Sequence, residues 1–157
     1  MLDRLEPKKI IVVSCAPQIR YPDCYGIDMS RLKEFVAFRA MLLLLEENNW
    51  DYKLEEVYDK CRANQERAEF KRTNFIKELY YLFTPDQISA KISEIVKAPD
   101  VNAEVEVIFQ TIENLHEACP NHTGDWYFTG NYPTPGGIKV VNRAFMNYME
   151  RKEVRAY

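Results

Sequence analysis

Hydrophobic and polar positions along this chain change period three times, from strand-like to helical, back to strand-like, and to helical again. Residues 10–13 (IIVV) form an unbroken apolar run behind two lysines. That run predicts a strand with apolar side chains on both faces, as found inside a parallel sheet covered by helices. From residue 30 the spacing becomes helical: Leu32, Phe35, Val36 and Leu43 belong to a wide apolar stripe reaching residue 47, with Ser30 as N-cap and Asn48-Asn49 as the stop. Leu54, Val57, Tyr58 and Cys61 repeat at helical spacing and predict a second helix over 52–67, and 75–83 reads as a third. Thr84-Pro85-Asp86-Gln87 is a capping box with proline at the first helical position, so a fourth helix runs to residue 96. Alternation returns at 104–109, a second strand, followed by a short helix over 112–118. The loop over 119–137 holds three of the eight prolines and four of the five glycines. An amphipathic helix over 138–151 follows, with Val141, Phe145 and Tyr148 on its stripe. Ahead of the first strand, residues 1–6 read as two helical turns with Leu2 and Leu5 on one side, ended by Pro7.

Two strands cannot bury both faces of a sheet, and a parallel strand needs neighbours and a crossover. The pattern therefore predicts an α/β fold whose partner strands lie upstream or in another chain. In that arrangement the sheet is covered on both sides, with 10–13 central or near-central and 105–109 beside it in parallel. Residues 1–47 and 103–157 read as parts of one α/β domain, and 48–102 as a largely helical insertion. The insertion is rich in charge and tyrosine (Tyr52, Tyr58, Tyr80, Tyr81) and carries no catalytic pattern. Its stripes read as packed core, with a subunit-contact element as the alternative if the tyrosines are exposed.

Composition narrows the class without identifying it. The 157 residues suit one ordinary domain, and 46% apolar with 13% aromatic residues is too much for a disordered tail. A net charge of -3 offers no basic footprint for nucleic acid. No apolar stretch reaches membrane-spanning length, and MLDRLEPKK has no apolar signal core. Cys15, Cys24, Cys61 and Cys119 are scattered in a chain too large to need staples, which reads as reduced and cytoplasmic. There is no G-x-S-x-G elbow and both histidines share one loop region, which argues against a Ser/His/Asp hydrolase.

Chemistry concentrates after the first strand. The segment SCAPQIRYPDCYGIDMS, residues 14–30, leaves a buried strand as an irregular loop, the position where open α/β sheets hold ligands. Together with YFTGNYPTPGG at 127–137, it resembles glutamine phosphoribosylpyrophosphate (PRPP) amidotransferases, also called amidophosphoribosyltransferases. The resemblance covers residues 8–47 and 103–151 and points to the C-terminal portion of such an enzyme. It implies a partial type I phosphoribosyltransferase-like sheet and a homo-oligomeric parent. In that family a glutaminase domain with an amino-terminal cysteine releases ammonia, which displaces pyrophosphate from PRPP with magnesium to give phosphoribosylamine, the start of purine biosynthesis. Residue 1 here is methionine, and no acidic pair followed by a Gly-Thr-Thr-type phosphate cradle is present; Gly136-Gly137 has no acidic pair before it. The resemblance thus implies a fragment inactive by itself that lines the transferase site with Asp28, flanked by Tyr25 and Arg20. Beside those roles stand plainer ones: a helix cap for Asp28, packing for Tyr25, surface pairing for Arg20.

Part of that family carries an iron–sulfur cluster, with cysteines at the positions occupied here by Asp23, Gly124 and Tyr127. None supplies a thiolate, so no iron–sulfur cluster is expected. His116-x-x-Cys119-x-x-His122 offers three donors in seven residues but no fourth at standard zinc spacing, and Pro120 interrupts the turn, so this stretch reads as a surface turn without metal. The rival to the enzyme reading is a non-catalytic interaction module built from the central helices.

Overall fold

A computed structural model of the chain describes residues 2–23, 29, 31–122 and 124–157. Strand β1 (Lys9–Ser14) pairs in parallel with β2 (Glu104–Phe109), in register from Lys9 opposite Glu104 to Ser14 opposite Phe109. Between them run α1 (Val36–Glu47), α2 (Tyr52–Asn64), α3 (Lys77–Tyr80) and α4 (Pro85–Val96); α5 (Ile112–Ala118), α6 (Trp126–Thr129) and α7 (Pro135–Met149) follow. The chain is thus mixed α/β with a small parallel sheet, as the pattern predicted.

Among the described residues the sheet has two strands, and helices cover only one of its faces. Helix α4 packs on β2 and on α1, and Val107 and Phe109 reach the core. On β1, Ile11, Val12 and Val13 are 53%, 50% and 72% exposed, and on β2 Ile108 is 42% exposed. The two edges differ as well. The Val107 N–H, which points away from β1, donates to Ser93 Oγ of α4 at 2.8 Å, while that hydroxyl donates to the Ser89 carbonyl at 2.9 Å. A helix hydroxyl therefore satisfies a ladder group on the outer edge of β2, which blunts that edge against a further strand. The open edge is that of β1.

The core lies under the helices. Phe38, Met41 and Leu45 of α1 are fully buried with Ile88 and Ile92 of α4, Leu79 and Tyr80 of α3, Cys61 of α2, and Val141 and Phe145 of α7. Each large apolar side chain so buried contributes about 1.5–3 kcal/mol. Residues 48–102 thereby share one core with the flanking segments. Asn142 of α7 is the polar centre of this region. Its Nδ2 donates to the Phe70 and Thr73 carbonyls at 2.9 and 2.8 Å, and its Oδ1 accepts from the Phe75 N–H at 3.2 Å.

Several element boundaries move. Phe35 is extended (φ -79°, ψ 121°) and splits the first predicted helix into a 3-10 turn, Leu32–Glu34, and α1; Ser30 lies outside the described residues. The predicted helix over 75–83 contracts to α3, because i→i+3 bonds such as Leu79 N–H to Ile76 and Phe83 N–H to Tyr80 wind it as tight turns. The capping box at Thr84 and Gln87 forms as read. The opening turns reduce to a 3-10 helix, Leu2–Leu5, with Leu5 80% exposed. Asp3 of that turn accepts from the Asn102 and Ala103 N–H groups at 3.2 and 3.1 Å, which fixes where β2 begins.

Candidate site at the carboxyl edge of the sheet

Parallel strands end together, so Ser14 and Phe109 open onto the same region. A cavity of about 220 Å³ lies there, bordered by Gln18, Arg20, Asp86, Ser89, Thr111 and Glu113 among others. Gln18, 5% exposed, organises its wall. Its Nε2 donates to the Pro85 carbonyl at 2.9 Å and to Ser89 Oγ at 2.7 Å, which fastens the loop after β1 to the start of α4. Its Oε1 accepts from Arg20 Nε and Nη2 at 3.0 and 2.6 Å.

Arg20 is therefore held by a neutral amide, and among the described residues it makes no salt bridge. Its guanidinium carbon also lies 5.4 Å from the centre of the Tyr80 ring, and the Tyr80 hydroxyl donates to the Arg20 carbonyl at 3.1 Å. Tyr21, 1% exposed, meets Tyr80 edge-on at 5.3 Å. Burial pushes both phenols above their ordinary range, so they stay neutral and serve as packing and hydrogen-bonding groups. The Arg20 guanidinium is thus oriented from two sides, by the Gln18 amide and the Tyr80 ring.

The second motif segment closes the same wall from behind. The Arg20 and Tyr21 N–H groups donate to the Tyr127 carbonyl at 2.9 and 3.1 Å. The Trp126 indole N–H donates to Asp23 Oδ2 at 2.6 Å, and the Tyr132 hydroxyl donates to the Pro22 carbonyl. Two glycines permit this approach. Gly130 has φ 71°, and a Cβ there would lie 2.6 Å from Asn74 Nδ2 and 2.8 Å from the Tyr21 ring. At Gly137 a Cβ would lie 2.3 Å from the Tyr132 ring, whereas at Gly136 it would meet only Thr134 Oγ1 at an ordinary 3.9 Å. Thr134 caps α7 by accepting from the Gly137 N–H, with Pro135 in the first turn.

Of the three residues singled out from the sequence, Arg20 sits on the cavity rim; Tyr25 and Asp28 lie outside the described residues. Gln18 and Asp23 were missed as structural members of the wall. Only their place after a buried strand marked them, since a glutamine and an aspartate in a loop carry no motif. Asp23, where cluster-bearing members of the resembled family have a thiolate, is 3% exposed and bonded to Trp126. Chemically the cavity offers one cation, Arg20, two carboxylates, Asp86 and Glu113, and the hydroxyls of Ser89 and Thr111. That set suits a hydroxyl-bearing, partly anionic ligand and lacks the clustered donors of a phosphate cradle. Among the described residues no helix is long and apolar enough to cross a membrane. Comparison with protein-family models, with curated proteins and with solved structures finds no match.

Proposed function

We propose that the chain is the C-terminal part of an amidophosphoribosyltransferase, a pentosyltransferase that makes phosphoribosylamine from PRPP and glutamine-derived ammonia. The observation that carries this reading is the joint between its two motif segments. The loop after β1 and the Tyr127 segment lie more than a hundred residues apart, yet they meet through the Trp126–Asp23 bond and paired N–H groups on the Tyr127 carbonyl. Two motifs that converge on one wall at the carboxyl edge of a parallel pair support a ligand site there.

The edge of β1, which pairs only with β2 among the described residues, supports a parent with further strands, since Ser93 already occupies one group on the outer edge of β2. Those strands bring the phosphate cradle and the magnesium site that this chain lacks. Arg20 then faces an anionic part of PRPP, and Asp28 and Tyr25, on the same segment, line the ribosyl side. The parent is cytoplasmic, homo-oligomeric and free of an iron–sulfur cluster, with no nucleic-acid or membrane partner. Residues 48–102 are a helical insertion relative to the family, folded into the common core.

In the full-length parent, Arg20→Ala and Asp28→Ala each lower ammonia-dependent synthesis roughly 100–1,000-fold, the range for removing one preorganised electrostatic group. Glutamine hydrolysis at the remote domain stays near the parent rate. The 157-residue chain alone does not turn over PRPP. Turnover by the isolated chain overturns the proposal, as does an upstream reading frame with neither phosphate loop nor glutaminase.

A second reading, a protein-interaction module, is favoured by two side chains. Tyr52 and Tyr81 are 52% and 72% exposed, with the Lys53 and Lys77 ammonium groups 5.0 and 5.6 Å from their rings. Loss of a partner complex on Tyr81→Ala, with transferase activity intact, would assign this face to assembly.

A further inference from the structure

The turn between α5 and α6 gathers three metal-binding side chains away from the Arg20 cavity. His116 belongs to the last turn of α5, His122 to the turn beyond it, and Asp125 immediately precedes α6. Their ligand atoms all lie within 4.8 Å of one another. His116 Nε2 and Asp125 Oδ2 are 2.9 Å apart, and the two imidazoles stack with centroids 4.5 Å apart and planes 11° from parallel. The backbone builds this cluster. The Cys119 N–H closes α5 on the Leu115 carbonyl at 2.9 Å, and the His122 N–H turns back onto the Cys119 carbonyl at 3.0 Å. Asp125 is oriented in turn, because Thr129 Oγ1 donates to its Oδ1 at 3.1 Å and leaves Oδ2 toward His116.

We propose that His116, His122 and Asp125 form a site for one divalent transition ion of the zinc class, with the remaining coordination position open to water. The donor set decides the class. Two imidazoles and one carboxylate suit zinc and its neighbours, whereas magnesium and calcium call for oxygen donors alone. Distances are within reach of rotation. Around tetrahedral zinc, with bonds near 2.0–2.1 Å, neighbouring ligand atoms sit roughly 3.3 Å apart. The His116–Asp125 pair is already closer than that, and the exposed His122 ring needs to move by about 1.5 Å at most. The ion takes the place of the direct His116–Asp125 contact, and the Thr129 hydroxyl supplies the outer-shell support such ligands usually have. By spacing, His116-x-x-Cys119-x-x-His122 reads as a surface turn without metal, since no fourth donor stands at zinc spacing. The fold instead leaves Cys119 outside the converging group and brings in Asp125 three residues beyond His122. A bound ion fastens the end of α5 to the start of α6. Because Trp126 and Tyr127 of α6 hold the loop after β1, the ion also stiffens the wall around Arg20. The site stands independently of the transferase reading.

The test uses the full chain without an affinity tag, stripped with a chelator and titrated with Zn²⁺ alone by calorimetry, with Co²⁺ as a visible-absorption probe. Expected are one equivalent of Zn²⁺ bound, a rise in Tm on binding, and affinity reduced at least tenfold in His122→Ala and Asp125→Asn. Cys119→Ser should bind as the parent does. His122 is exposed, so His122→Ala keeps the test valid should changes at the half-buried His116 and Asp125 disturb folding. Absence of stoichiometric binding in the parent overturns the site, as does unchanged affinity in His122→Ala. Loss of binding in Cys119→Ser overturns it too, because the ligands would then be others.

Discussion

Asn142 is fully buried in an apolar helix face, and its amide answers three main-chain groups of the turn over 70–75. An apolar replacement of similar size fills the space but strands those groups away from water. Leaving one buried polar group unsatisfied costs about 1–3 kcal/mol, and the three share one turn, so Asn142→Leu is expected to cost about 3–5 kcal/mol. Urea unfolding monitored by fluorescence checks it; a loss below about 1 kcal/mol would mean the turn is held by other contacts. Burial also sets the alkaline limit of stability. It pushes the Cys61 thiol from its ordinary 9.0 up to about 12, and raises the Tyr21 and Tyr80 phenols. Each group stays protonated in the folded chain after the unfolded chain has begun to release its proton. The folded state then binds more protons, so stability is complete below about pH 9 and falls as the pH climbs towards 12. Midpoints of urea unfolding should be level from pH 7 to 8.5 and decline steadily above, on the scale set by ordinary thiol and phenol values. A level midpoint to pH 11 would place these groups in water.

At the scale of elements, periodicity identified most of the fold. The IIVV run and the 104–109 alternation located both strands and their parallel pairing, and Thr84 with Gln87 marked the start of α4 because a capping box is a purely local device. Three features were not legible. The split at Phe35 depends on burying that ring, which periodicity treats as one more stripe residue. Helix α6 has a single turn, too short to show a period, and is set by Gly130 at its left-handed end. The closure of β2 by Ser93 joins a helix and a strand fourteen residues apart in sequence, and no local pattern announces such a bond. The site follows the same division. Arg20 was singled out through the resemblance of the loop after β1, whereas the bond by which Gln18 orients it is a contact only the fold creates. Within the wall, the carboxylate of Asp23 is bonded to Trp126 where a cluster would need a thiolate. Purified protein is therefore expected to lack visible absorbance that bleaches on reduction, which an ultraviolet–visible spectrum before and after dithionite checks; brown, bleachable protein would contradict the wall as described.

For the whole molecule, the unequal sheet edges and the shared core have different reach. The β1 edge concerns what joins the chain from outside, whereas the core binds early and late segments to one another. Helix α7 contacts α2 and the 68–71 turn, and Asn142 reaches back across 67 to 72 residues to the groups it satisfies. On the ribosome, chain emerges at about 5–20 residues per second, N-terminal part first. The turn over 70–75 then waits several seconds with its N–H and carbonyl groups facing water before its amide partner exists. Residues 1–134 alone are accordingly expected to show partial helicity without a cooperative thermal transition, and a sharp transition in that truncated chain would count against the dependence. Synthesis thus has a built-in order: the middle of the chain is made early but matures late, and the last described helix decides when it does.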